Sequence, residues 1–133
     1  VLADDDLVHV EGLDSVAETA ARLQQILAVR GLTVFLQLDH GEAARRSGFE
    51  LRDMQLLVFG KPEMGAALIQ CAPTVGIDLP LRMLVWADQR GQVWLSYTNM
   101  ETLADRHDMA VCKALTEKVS VLLASIAAEV AGP

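Results

Sequence analysis

Residues 56–97 read LLVFGKPEMGAALIQCAPTVGIDLPLRMLVWADQRGQVWLSY. The almost continuous apolar run from Met54 to Phe59 predicts a central strand covered on both faces. Gly60 turns the chain, and Pro62 suits the first position of a helix, where its missing N–H leaves nothing unpaired. Met64, Ala67, Leu68 and Cys71 then share one helix face, and Pro73 and Gly76 break the helix. Leu81 to Ala87 and Gln92 to Tyr97 are strands joined by Asp88-Gln89-Arg90-Gly91, with Gly91 where a hairpin loop favours positive φ. Strand, helix and hairpin in this order describe a sheet with helices packed on it.

Working outward, Leu7-Val8-His9-Val10-Glu11 alternates apolar and polar residues as a half-buried strand does, and Gly12 ends it. Ser15 and Glu18 form a capping box ahead of Val16, Ala20, Leu23 and Leu27, an apolar helix stripe. Gly31 supplies the left-handed residue at the end of that helix. Leu32 to Leu38 is a strand with Leu32, Val34, Leu36 and Leu38 expected on one face. Asp39 and Glu42 cap a short helix closed by Gly48. Thr98 and Glu101 are expected to cap another. Asp108 is expected to start the last helix, which runs to about Val130 with Val111, Leu115, Val119, Leu122, Ile126 and Val130 facing the core. The order β-α-β-α-β-α-β-β-α-α describes one compact α+β domain with a mixed sheet, residues 7–133, after a flexible start over residues 1–6.

The chain has 133 residues, 52% hydrophobic and 22% charged, which suits a single folded domain. Its net charge of −7 repels phosphate backbones, and no basic patch offsets it, so nucleic acid is excluded as a partner. No apolar run approaches the ~20 residues that span a bilayer, so membrane insertion is excluded as well. Cys71 and Cys112 lie in no metal or redox spacing. Buried thiols are the expectation and a single disulfide the alternative. Val1-Leu2-Ala3 followed by Asp4-Asp5-Asp6 resembles the small-residue end of a cleaved signal peptide. That gives a periplasmic or secreted location as the expectation, with a trimmed chain and a cytoplasmic location as the alternative.

Several short motifs recur in an order that resembles a known family. They are Ser15-Val16-Ala17-Glu18-Thr19, Gly31-Leu32-Thr33-Val34-Phe35, Asp39-His40 with Ala43, Phe59-Gly60-Lys61-Pro62, Gly76 to Leu81, Val85-Trp86, Val93 to Tyr97, and Leu103 to His107. Together they make the chain resemble the bacterial domain of unknown function 302 family over nearly its whole length. The resemblance implies a compact α+β fold, frequent homodimers and frequent export, and it carries no established activity. The chain departs from the family pattern at Lys61, where asparagine is common, and at Asp108, where glycine is common.

The polar residues offer few catalytic patterns. Asp39 beside His40 suits acid–base chemistry, although an N-cap role for Asp39 accounts for it more simply. His40 and His107 are candidate metal ligands if the fold joins them, against a structural role for His107 between two helices. Gly60-Lys61-Pro62 opens a helix whose free N–H groups suit an anion, with Lys61 adding charge. Arg82, Trp86 and Tyr97 belong to the hairpin, where they suit packing, a dimer interface or a ligand pocket. No nucleophile elbow or activated thiol is present. The expectation is a non-enzymatic ligand-binding or protein-interaction domain acting as a homodimer, without a cofactor. The alternative is an enzyme, or a metal- or haem-binding protein, using His40 and His107.

Overall fold

A computed structural model describes residues 2–3, as backbone alone, and residues 6–132; Val1, Asp4 and Asp5, half of the expected flexible start, and Pro133 lie outside it. Six strands form one sheet: β1 (Leu2–Ala3), β2 (Leu7–Gly12), β3 (Thr33–Asp39), β4 (Met54–Gly60), β5 (Leu81–Ala87) and β6 (Val93–Thr98). Their order in space is β1-β2-β6-β5-β4-β3. The helices are α1 (Val16–Val29), α2 (His40–Arg46), α3 (Pro62–Cys71), α4 (Met100–Arg106) and α5 (Lys113–Ala131). Two 3-10 segments, Pro73–Asp78 and Ala110–Cys112, complete the path.

The α+β class and, from residue 7 onward, the order of elements are as expected; strand β1 is an addition, lying in the segment expected to be flexible and pairing with β2. The sheet, expected to be mixed, is antiparallel at every described pairing. The reason is topological. Helix α1 carries the chain from β2 to β3 at the far edge, so the strands it joins are never neighbours and the parallel pair that a mixed sheet needs does not form.

Helices α1 and α5 pack against each other and cover one face of the sheet. Leu23 and Leu27 of α1 and Leu123 and Ile126 of α5 meet Leu57, Phe59, Met83, Val85 and Leu95 in a single core. Each such side chain contributes about 1.5–3 kcal/mol by leaving water. The opposite face contributes nothing to that core. Its rows run Leu38–Leu56–Leu84–Ser96–His9 and Met54–Trp86–Trp94–Glu11 across the strands, with Leu36–Val58–Arg82 beside them. Leu36 is 50% and Leu38 37% exposed, and Leu56, Val58, Leu84, Trp86 and Trp94 are only half-buried. Strand β4 is therefore covered on one face, not two as its composition predicts.

Strand β3 also departs from its expected pattern. Val34 pairs with Phe59 on the core face, but Leu36 pairs with Val58 on the open face, so Phe35 is an inserted bulge residue. Leu36 and Leu38 consequently do not share a face with Val34.

The helix ends follow backbone physics closely. The Ser15 hydroxyl accepts from Glu18 N–H (3.1 Å) and donates to the Glu18 carboxylate (3.0 Å). Asp39 accepts from Glu42 N–H at 2.9 Å. Helix α1 ends at Gly31, φ 75°, with Leu32 N–H bonded to Leu27 C=O and Gly31 N–H to Ala28 C=O. The same paired bonds end α4, but there the left-handed residue is Asp108, φ 53°. Asp108 thus terminates α4 instead of starting the last helix, and α5 begins at Lys113. Val111 lies outside the core, 91% exposed, while Val119, Ile126 and Val130 are buried as expected. The cap of α4 is Asn99, not Thr98: its side chain accepts from Glu101 N–H at 3.0 Å.

Cys71 and Cys112 form a disulfide in place of the expected buried thiols, joining the end of α3 to the turn before α5.

Candidate functional site

Polar chemistry gathers in two places. The first lies around the 3-10 segment Pro73–Asp78. His107, at the end of α4, has a side chain only 6% exposed, with Nε2 2.6 Å from Asp78 Oδ2 and Nδ1 2.8 Å from Thr74 Oγ1. A neutral imidazole protonated on Nε2 satisfies both partners, donating to Asp78 and accepting from the Thr74 hydroxyl. Arg106 donates to the other Asp78 oxygen at 3.0 Å. The hydrogen bond from His107 holds the Asp78 carboxyl below its usual range; Arg106 adds to this, and partial burial opposes it. Hydroxyl, imidazole and carboxylate in series resemble a catalytic relay, but neither Thr74 nor His107 lines the cleft beside them. The set ties α4 to the 3-10 segment.

That cleft holds about 240 Å³ and is lined by Ile77, Asp78, Leu81, Arg82, Tyr97, Thr98, Leu103 and Leu123. Tyr97 is 8% exposed, and burial raises its pKa. No described residue hydrogen-bonds its hydroxyl.

The second place is the open sheet face. There Trp86 donates its indole N–H to Ser96 Oγ at 2.8 Å, and the same oxygen lies 2.6 Å from His9 Nδ1. The His9 ring meets Trp86 and Trp94 edge-on, with centroids 6.4 and 6.3 Å apart. Trp94 in turn donates to Asp88 at 3.0 Å, which holds the hairpin loop and lowers the Asp88 pKa.

The expected site residues are thus dispersed. Arg82 and Tyr97 both border the cleft, from opposite faces of the sheet, and His107 reaches its rim through Asp78. Trp86 belongs to the open face. Asp39 caps α2, and His40 is the half-buried first residue of that helix, after edge strand β3. Lys61 is exposed at the start of α3, where Pro62 takes the first helical position. His40 shares none of the His107 hydrogen bonds. Among the described residues, no cluster of three or more His, Cys, Asp and Glu side chains is placed to hold a metal. Asp78, Thr74 and His9 escape sequence reasoning because their partners are 28 to 87 residues away, and Ser96 because it joins His9, 87 residues away, to Trp86 across the hairpin. The one local signal is Asp78 itself, a lone carboxylate inside the apolar stretch Gly76 to Leu81.

Comparison with known proteins fits this architecture. The crystal structure of an uncharacterized conserved protein DUF302 from Bacillus stearothermophilus has the same fold, with a TM-score of 0.85 at 20% identity, covering 95% of this chain and 98% of the other. Fluoride-specific ion channel FluC 1 of Brucella suis biovar 1 is 38% identical over 120 residues, 90% of this chain and 47% of that protein. Fluoride-specific ion channel FluC 2 of Brucella melitensis biotype 1 is also 38% identical over 120 residues, covering 90% and 44%. The chain therefore spans less than half the length of these curated relatives. The family model described as Domain of unknown function DUF302 matches residues 8–126, so the chain belongs to the DUF302 family.

Proposed function

We propose that this domain is a non-enzymatic interaction module that pairs with a second copy of itself through the open face of its sheet. One observation carries the reading: an apolar face made of β3, β4, β5 and β6 is left without a covering layer by its own chain. Contiguous bare apolar surface of this kind favours association. Leu56 and Leu84 lie mid-face between Leu38 and Ser96, flanked by both tryptophans of the chain, and aromatic anchors are favoured in interface cores. A two-fold pairing places the same patch on both sides and closes at two copies.

The disulfide supports an exported location, because such bonds persist mainly in oxidising compartments. The channel relatives fit an accessory role. No helix among the described residues is long and apolar enough to cross a membrane, so the half of those proteins that resembles this chain corresponds to a fold without such a helix. A metal or haem site on His107 is less favoured, since both its ring nitrogens are already engaged.

Light scattering or sedimentation tests the reading. The full chain is expected to be a dimer, and Leu56→Glu, a charge at mid-face, is expected to give a folded monomer with red-shifted tryptophan emission. A monomeric wild-type chain at micromolar concentration overturns it.

A further inference from the structure

Strand pairing lays out the open face as a grid. Its middle row is Leu38–Leu56–Leu84–Ser96–His9, with Leu36–Val58–Arg82 along one side and Met54–Trp86–Trp94–Glu11 along the other. Glu11 lies at the β2 margin, whereas Arg82 is a charge inside the face. Arg82 is exposed and forms no ion pair among the described residues, and its row neighbours Val58 and Leu36 are apolar. Covering a guanidinium with apolar surface alone is costly unless something replaces its water. Trp86 stands on the same strand, with its indole N–H already given to Ser96 Oγ at 2.8 Å. The faces of its ring are what it has left to offer. Within one copy Arg82 and Trp86 cannot meet directly, because their backbones lie about 13 Å apart along β5 with Leu84 between them.

We propose that the two-fold axis of the dimer lies along the middle row, across the strands, so that Arg82 of each copy stacks on Trp86 of the other. The inference rests on the open-face pairing described above. The face is wider across its strands than it is deep along them, so two copies crossed at right angles leave its ends uncovered. Aligned packing covers it, and leaves the axis two directions, along the strands or across them. An axis along the strands sets each row against the same row, and the guanidinium meets leucine, valine or its own counterpart. An axis along the middle row exchanges the outer rows. Arg82 then faces Trp86 of the second copy, β5 against β5, with Trp94 one strand away. The guanidinium gains a π face in place of water, a contact that arginine and tryptophan favour, and the two-fold makes it twice. The same operation sets Leu56 against Leu56, Leu84 against Leu84 and Val58 against Met54. An apolar centre is thus flanked by two cation–aromatic pairs.

Single cysteines test the axis, because the two native cysteines are bonded to each other. Leu56→Cys and Leu84→Cys, on different strands of the middle row, are each expected to be captured as a covalent dimer by a short bismaleimide. Met54→Cys and Val58→Cys are expected to cross-link poorly alone and readily once mixed and left to exchange. Sedimentation then reads the contact itself. Arg82→Gln and Trp86→Leu are each expected to weaken the dimer about tenfold or more, and the double variant no further than the weaker of the two. That coupling separates a direct contact from the charge lost in one variant and the packing lost in the other. Cross-linking at fewer than both leucines of a dimeric protein, or losses that multiply in the double variant, overturns this axis, while Leu56→Glu still decides open-face pairing by itself. A monomeric wild type overturns both.

Discussion

Cys71 is bonded to Cys112 across 41 residues of sequence, with their Cα atoms 6.4 Å apart. The closed loop contains β5, β6 and α4, so the disulfide fastens the segment that forms most of the cleft lining. Closing a loop of this length restricts the unfolded chain by an amount equivalent to about 4 kcal/mol. The double variant Cys71→Ala/Cys112→Ala is expected to lose about 2–4 kcal/mol in urea denaturation. Reductant is expected to shift the wild-type midpoint and leave the variant unmoved.

Asp108 holds φ 53° where the backbone pattern at the end of α4 favours glycine. It also lies in a groove with Glu101, Asp105 and Glu117. Asp108→Gly removes both the steric cost of the left-handed conformation and one crowded carboxylate. The looser unfolded chain offsets part of the gain. A net stabilisation of about 0.5–1 kcal/mol is expected, measurable as a raised denaturation midpoint.

Thr19 is fully buried on α1, and its hydroxyl is a fully buried side-chain polar atom with no hydrogen-bond partner among the described residues. Thr19→Val replaces that hydroxyl with a methyl of similar shape. It is expected to stabilise the fold by about 1 kcal/mol, whereas Thr19→Ala, which leaves a void, is expected to be neutral or destabilising.

Tyr97 carries a pKa raised above 10.0 by burial. The folded state therefore keeps its phenolic proton more tightly than the unfolded state does. Stability from this group is complete below pH about 10 and falls as pH rises through that value toward the folded pKa. Spectrophotometric titration is expected to show phenolate appearing later than in free tyrosine, together with unfolding, and Tyr97→Phe is expected to blunt the alkaline loss of stability.

Asp78 works in the opposite sense. Its carboxyl is held low chiefly by the hydrogen bond from His107. The stability it contributes is present above its ordinary range near 3.8 and disappears as pH falls through the lower folded value. Asp78→Asn is expected to flatten the acid limb of the stability profile below pH about 4, with little change in its shape near pH 8.

Local physics made much of the fold legible. Ser15, Gly31, Asp39, Gly48 and Pro62 mark helix ends through bonds formed within a few residues, and those expectations hold in the structure. Asp108 misled because an aspartate near a helix start is usually a cap; here its left-handed backbone ends the preceding helix. The apolar run of β4 misled for another reason. Composition registers that a face is apolar and not whether the same chain covers it. The disulfide and the His107–Asp78–Thr74 tie are long-range meetings with no periodic trace. Of the candidate site residues, Arg82 and Tyr97 were recognisable as hairpin members. Their place beside one cleft depends on where β5 and β6 part, and no side-chain pattern encodes that point.

The bulge at Phe35 has a consequence for how β3 tolerates change. With one residue inserted, the strand has opposite parity on its two sides: Val34 counts inward, while Leu36 and Leu38 count outward. Deleting Phe35 restores strict alternation without turning any neighbour over: Val34 stays inward, Leu36 and Leu38 stay outward, and Gln37 keeps its place opposite Leu57. The extra residue can therefore be lost without disturbing either face, whereas a residue removed elsewhere along the strand reverses the faces of everything beyond it.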